Sequence, residues 1–232
     1  MDERLRDLER AAATGSVEAE AKLLDGRAKA GELDADLLRL AADLGDPVAQ
    51  AALGFNTSWT VGSSPLELIF ALLHIARYHH QVMARAHAAV GRVIAPRYRK
   101  VYSSQIPLEV SVEGITASEE ELEAEQQEYV ESLDELEAWI VDWVQPPDGD
   151  WQGAVDRLCR AAFDQKEASE EDAERVEALM RTEQGPWQLP AGWEAALSLD
   201  EVQEAIRREL IPWALGRGDP VRERFFSSSS ST

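Results

Sequence analysis

The 232-residue sequence predicts an all-α protein, a short helical-repeat leader followed by a bundle of long amphipathic helices. Three observations predict it. Apolar residues recur at three- and four-residue steps through most of the chain, the pattern of helices that bury one face. Capping boxes, in which a serine is followed three residues later by glutamate, stand at Ser118 and Glu121 and again at Ser198 and Glu201, each opening a periodic segment. The first 54 residues also contain two stretches that repeat one another at an offset of thirty.

The leader spans 1–55. Aligning Ala11, Ala12, Gly15, Ser16, Ala19, Ala21 and Leu23 with Ala41, Ala42, Gly45, Asp46, Ala49, Ala51 and Leu53 places like on like, and Leu8 falls on Leu38. Each unit reads as a helix ended by glycine, then a second helix with Ser16 or Asp46 as N-cap and, in the second unit, Pro47 in the first turn. Small residues at these positions let stacked helices approach closely. The stretch from Ala41 to Gly54 resembles a Sel1-like or tetratricopeptide-type repeat. The whole opening is similar to the leader of uncharacterised helical proteins from high-GC bacteria, some of them immunity-like. That resemblance implies a protein that neutralises a cognate toxin by binding it.

The bundle spans 65–216. After a break over 55–64, Pro65 opens a helix expected to run to Ala95, where Pro96 ends or kinks it. Ile69, Leu72, Leu73, Ala76, Met83, Val90 and Ile94 share one side of it, with Glu67, His74, Arg77, Gln81, Arg85 and Arg92 opposite. Alternation at Leu108, Val110 and Val112 leaves a short strand open there. From the Ser118 cap, Leu122, Gln126, Tyr129, Leu133, Leu136, Ile140 and Trp143 form a heptad-like seam of about seven turns. Pro146 to Gly149 break the chain, and further amphipathic segments begin at Trp151, Ser169 and Ser198. Residues 217–232, which end in serines, show no apolar pattern and are expected to be disordered. The leader and bundle are expected to pack as one body.

Composition narrows the function. Net charge is −21, from 44 acidic against 23 basic residues. This disfavours nucleic acid and anionic membranes as partners and favours a basic protein. No apolar run is long enough to span a bilayer, and Met1 to Arg4 do not lead into a secretory signal. A cytoplasmic location is therefore expected, and the lone Cys159 is compatible with it.

Charge is segregated along the chain. Residues 68–108 hold six Arg or Lys, all four histidines and no acid, whereas 101–156 hold sixteen acids and no Lys or Arg. Either the acidic helix pairs internally with the basic one, or part of it stays free for a cationic partner. The partner-binding candidates are Glu119, Glu120, Glu123, Glu128, Glu131 and Asp134 for electrostatic steering, with Trp139 as an anchor. Seven tryptophans are mostly core material, although Trp187 and Trp193 share a proline-containing loop. His74, His79, His80 and His87 invite a metal reading. His80 and His87 nevertheless sit about two turns apart, roughly 10 Å, so carboxylates from another element would have to complete a site.

No phosphate loop, dinucleotide turn, nucleophile elbow or zinc-protease motif is present, so neither catalysis nor a cofactor is expected. The reading is of a non-enzymatic protein-binding protein of the immunity type. Its alternatives are a metal-dependent enzyme built on His80 and His87, and a regulatory adaptor that binds through the leader.

Overall fold

The computed structural model describes residues 3–13, 15–55, 65–100, 118–143, 150–163, 170–171, 174, 181–182, 185–186 and 197–228. Its helices are α1 (Glu3–Ala12), α2 (Val17–Lys29), α3 (Ala35–Asp43), α4 (Pro47–Leu53), α5 (Pro65–Ala76) and α6 (Val82–Ile94), then α7 (Glu119–Asp142), α8 (Trp151–Phe163), α9 (Leu199–Ala214) and α10 (Pro220–Ser228). Beside them, Arg181–Thr182 and Gly185–Pro186 form a two-residue antiparallel pair. The fold class is all-α. The strand considered at 108–112 and the placement of Trp187 and Trp193 lie outside the described residues, as does most of the helix expected from Ser169, of which Glu170, Glu171 and Glu174 are described and helical.

In the leader, Asp34 caps α3 by accepting from the Asp36 amide at 2.7 Å, and Asp46 caps α4 by accepting from the Val48 and Ala49 amides at 3.0 and 2.8 Å. Pro47 sits in the first turn of α4, where its missing amide costs nothing. Helices α2, α3 and α4 share their core with the body: Leu24, Leu38, Leu40, Leu44 and Val48 belong to one apolar cluster with Ile75, Val82, Ile206, Leu210 and Leu215. Polar ties reinforce the junction. Arg207 donates to the Leu44 carbonyl at 2.8 Å, and Arg217 spans Glu20 and Asp46, each at 3.1 Å.

The helix expected over 65–95 is in fact two. Between α5 and α6 the chain turns through Arg77 to Gln81, with three-residue turns closed by Tyr78 N–H on Ile75 and Val82 N–H on His79. Neither proline nor glycine breaks it. Side chains satisfy the freed groups instead: the His79 ring accepts from the Gln81 amide at 3.1 Å, and the Gln81 amide group donates to the Ile140 and Trp143 carbonyls at the end of α7. Tyr78 is drawn outward to donate to Asp43 of α3.

Helix α6 also departs from the expected two-faced pattern. Val82 to Gly91 are buried without interruption, Arg85 and His87 among them. The helix runs through the middle of the body, packed by α5, α7 and α9. Its alanines are what let three helices close on it, and Gly91 is required at the tightest point, since a Cβ there would lie 2.4 Å from Leu133 Cδ2.

Helix α7 runs antiparallel to α6, from Glu119 opposite Arg99 to Trp143 opposite Gln81. Its capping box is complete, Ser118 accepting from the Glu121 amide at 3.2 Å and Glu121 from the Ser118 amide at 2.7 Å. Leu133, Leu136 and Ile140 of the seam are buried. Gln126, the polar seam residue, donates to the Ala95 carbonyl at 2.7 Å, which satisfies an orphan acceptor at the end of α6.

One expectation is corrected outright: much of the 217–232 segment is folded, as α10. Apolar periodicity misses this helix because charges attach it. Among the described side chains of α10 Val221 alone is buried, while Arg224 and Asp219 bond to side chains beneath.

Candidate functional site

Helix α7 divides its acids between two environments. Glu119 and Glu123 accept from Arg99 at 2.9 and 3.2 Å, and Asp134 accepts from Arg92. Glu131 accepts from Gln127 at 2.9 Å. Glu120 and Glu128 stand exposed, as does Glu135, and all three fall with Glu131 on the side of the helix turned to solvent. Trp139 is half-buried. Its ring lies 3.9 Å from that of Trp143, tilted by 34°, over the apolar cluster of Ala84, Ala88, Leu136, Ile140 and Val221.

A second site is not among the candidates that sequence reasoning singles out. Under α10, Arg85 donates to Gln81 at 3.1 Å and end-on to Asp219 at 2.8 and 3.0 Å, and its guanidinium carbon rests 4.3 Å from the centre of the Trp213 ring. Arg224 of α10 reaches Glu137 of α7 at 2.8 Å and Glu209 of α9 at 2.9 Å. Arg92 approaches Glu137 from the other side, at 3.1 and 2.7 Å. Glu137 and Glu209 are 2% and 3% exposed, so both carboxylates are almost wholly removed from water.

The electrostatics follow from that burial. Burial raises the Glu209 carboxyl above its ordinary range; Arg224 and Arg85 hold the rise back and Glu137 adds to it. At Asp219 burial acts in the same direction, but the Arg85 bonds outweigh it and the carboxyl is lowered. Glu209 Oε1 is buried without a hydrogen-bond partner among the described residues, with Arg85 Nη1 at 3.9 Å. The sequence carried one signal of this cluster, since Arg85 is set among Val82, Met83, Ala84 and Ala86 in a segment free of acids. A charge so enclosed needs partners from elsewhere.

The histidines form a third cluster at the α5–α6 turn. His79 and His80 stack at 4.1 Å, with Trp213 against the first at 5.0 Å and Trp143 and Trp151 against the second at 4.7 and 6.2 Å. His80 Nε2 has no hydrogen-bond partner among the described residues. His87 lies further along α6, its Nδ1 2.8 Å from the Met83 carbonyl oxygen, so the structure does not bring His80 and His87 together. His74 stands 3.7 Å from Asp43. Among the described residues no group of three or more His, Cys, Asp or Glu is arranged to hold a metal ion, and no helix is long and apolar enough to cross a membrane. The Cys159 side chain lies outside the described residues.

Comparison with known proteins adds no name to this geometry: no protein family, curated protein or solved structure matches the chain.

Proposed function

We propose that the protein is a non-enzymatic binding protein that engages a basic protein through the outer face of α7. One observation carries the reading. Glu119, Glu123, Asp134 and Glu137 are taken up by arginines of the chain itself, yet Glu120, Glu128, Glu131 and Glu135 remain on the solvent side. At 100° per residue these four fall within an arc of roughly 80°. A stripe of four like charges repels itself by a few tenths of a kcal/mol per neighbouring pair, a cost that a cationic surface relieves.

Neutralising a toxin one-to-one, the activity implied by the leader's resemblance, needs such a surface and no cofactor. On this reading the pairs α1/α2 and α3/α4 are two units of a thirty-residue repeat stacked on the bundle. The site of action is the cytoplasm, and neither nucleic acid nor membrane is the target.

The test replaces Glu120, Glu128, Glu131 and Glu135 together by Gln and measures association with basic proteins retained from lysate of the native organism. An association rate at least tenfold lower, with its salt dependence flattened, supports the outer face. An unchanged rate removes it. The adaptor alternative draws on a groove of about 440 Å³ between α1 and α2, lined by Leu5, Leu8, Lys22, Asp25, Gly26 and Lys29. An adaptor of that kind keeps its partner in the Gln variant.

A further inference from the structure

We propose that Glu137 and Glu209 form a socket for a guanidinium group, filled here by the chain's own Arg224, and that an arginine of the basic partner takes its place when α10 lifts. The source of that arginine rests on the reading of the partner as basic; the socket does not.

The socket is built for a planar fork. Glu137 projects from α7 and Glu209 from α9, and Arg224 meets the first through Nε and the second through Nη2. An ammonium offers its three donors from one strongly hydrated atom and lacks the rigid planar spread that lets a guanidinium direct two bonds to carboxylates on separate helices. Arg85 forms the floor and Arg92 the far wall. Beside Arg224, the buried Glu209 Oε1 has no hydrogen-bond partner among the described residues, so an acceptor stands open to a further donor.

The present occupant is held in a way that permits exchange. Helix α10 has nine residues, too few to persist alone. Among its described side chains only Val221 is buried, and Phe226 is 59% exposed. The Arg224 and Asp219 bonds are the charged ties that help to fasten it, and an incoming arginine restores the former as it enters. Arg217 in the link from α9 is held by Glu20 and Asp46, so the turn into α10 falls beyond it, at Gly218, whose positive φ a Cβ would strain. Asp134, 59% exposed at its side chain, shares Arg92 with Glu137 and continues the charge from the outer face of α7 to the socket.

Two experiments on the full chain test this. First, Arg224→Ala empties the socket, and methylguanidinium is titrated in at constant ionic strength with methylammonium as the comparison. Methylguanidinium is expected to raise the unfolding midpoint of the variant saturably, and to lose that effect once Glu137→Gln is added. Equal responses to both cations, or none, overturn the socket. Should Arg224→Ala fail to fold, Arg224→Lys serves: its α10 amides are expected to exchange at least tenfold faster than in the parent chain, and an unchanged rate overturns the proposal.

Second, octa-arginine added to the unaltered protein is expected to speed α10 amide exchange about tenfold while octa-lysine of equal charge does not. Equal effects, or no effect, overturn the displacement. Neither experiment involves the four outer glutamates, so a failed socket and a failed outer face are told apart.

Discussion

Arg85 meets Asp219 end-on, Nη1 to Oδ1 at 2.8 Å and Nη2 to Oδ2 at 3.0 Å, and so joins the middle of the most buried helix to the residue that starts α10. Asp219 does two things at once, because the same Oδ1 accepts from the Arg222 amide at 3.3 Å and caps the helix. Removing it leaves Arg85 buried with only the more distant Glu209 as counter-charge. Asp219→Ala is therefore expected to cost about 3 kcal/mol, the usual loss when one member of a buried pair is deleted. Urea unfolding should show a lower midpoint at unchanged slope. A midpoint within error of the parent would mean that the pair does not hold α10.

The contact between Gly91 and Leu133 gives a second expectation with competing terms. Alanine at a helix interior position gains about 1 kcal/mol over glycine from backbone entropy. Here its Cβ would stand 2.4 Å from a side chain with no exposed surface, and the Tyr129 hydroxyl is 3.1 Å away on the same side. Overpacking of that kind costs about 1 to 3 kcal/mol, so Gly91→Ala should destabilise on balance. Leu133→Ala in the same chain should recover part of the Gly91→Ala loss, and purely additive effects in the double-mutant cycle would argue that the clash is absorbed elsewhere.

Histidine burial sets a pH dependence. Burial first, then the neighbouring His80 and Arg85, push His79 down to about 4, and burial and Arg85 push His80 down to about 4. Asp34 pulls weakly the other way at His79. The unfolded chain takes up protons near 6.5 and the folded one only near 4, so protons favour unfolding across that window. Stability should be flat above about pH 7 and fall as pH drops from about 6.5, with up to about 1.4 kcal/mol per pH unit from each histidine. His87, also lowered by burial, adds to the slope, and Glu209, raised, opposes it. His79→Phe combined with His80→Phe keeps the aromatic packing and should shrink the slope between pH 6.5 and 5. An unaltered slope would assign the dependence to other groups.

How far the sequence reveals this molecule depends on what holds each part. Helices closed by local chemistry are legible: the Ser118 and Ser198 boxes, the Asp46 cap and the Leu133, Leu136, Ile140 seam all appear where their side chains require. The pairing of α6 with α7 follows from the charge blocks, since acid-free and base-free segments of one chain neutralise each other. Three features escape. The α5–α6 turn is driven by Gln81 and Tyr78 reaching other helices, and no local signal marks it. Arg85 is polar by type and buried by context, so a helical wheel assigns it to solvent. Helix α10 is attached by Arg224 to carboxylates 15 and 87 residues away in the chain, a bond that periodicity does not record.

Helix α7 offers the sharpest internal comparison, because chemically identical substitutions on its two sides should behave oppositely. Glu→Gln is nearly isosteric and removes one charge. At Glu120, Glu128, Glu131 and Glu135 the carboxylates are solvated, and each change should move stability by no more than about 0.5 kcal/mol, tending upward as repulsion along the helix is relieved. At Glu137, whose side chain is 2% exposed, the same change removes the counter-charge that Arg92 and Arg224 share and leaves them Asp134 and Glu209, and a loss of about 1 to 3 kcal/mol is expected. Thermal unfolding of the five single variants decides it. If Glu137→Gln is as silent as the outer four, the cluster beneath α10 is solvated in solution, and the guanidinium socket falls with it.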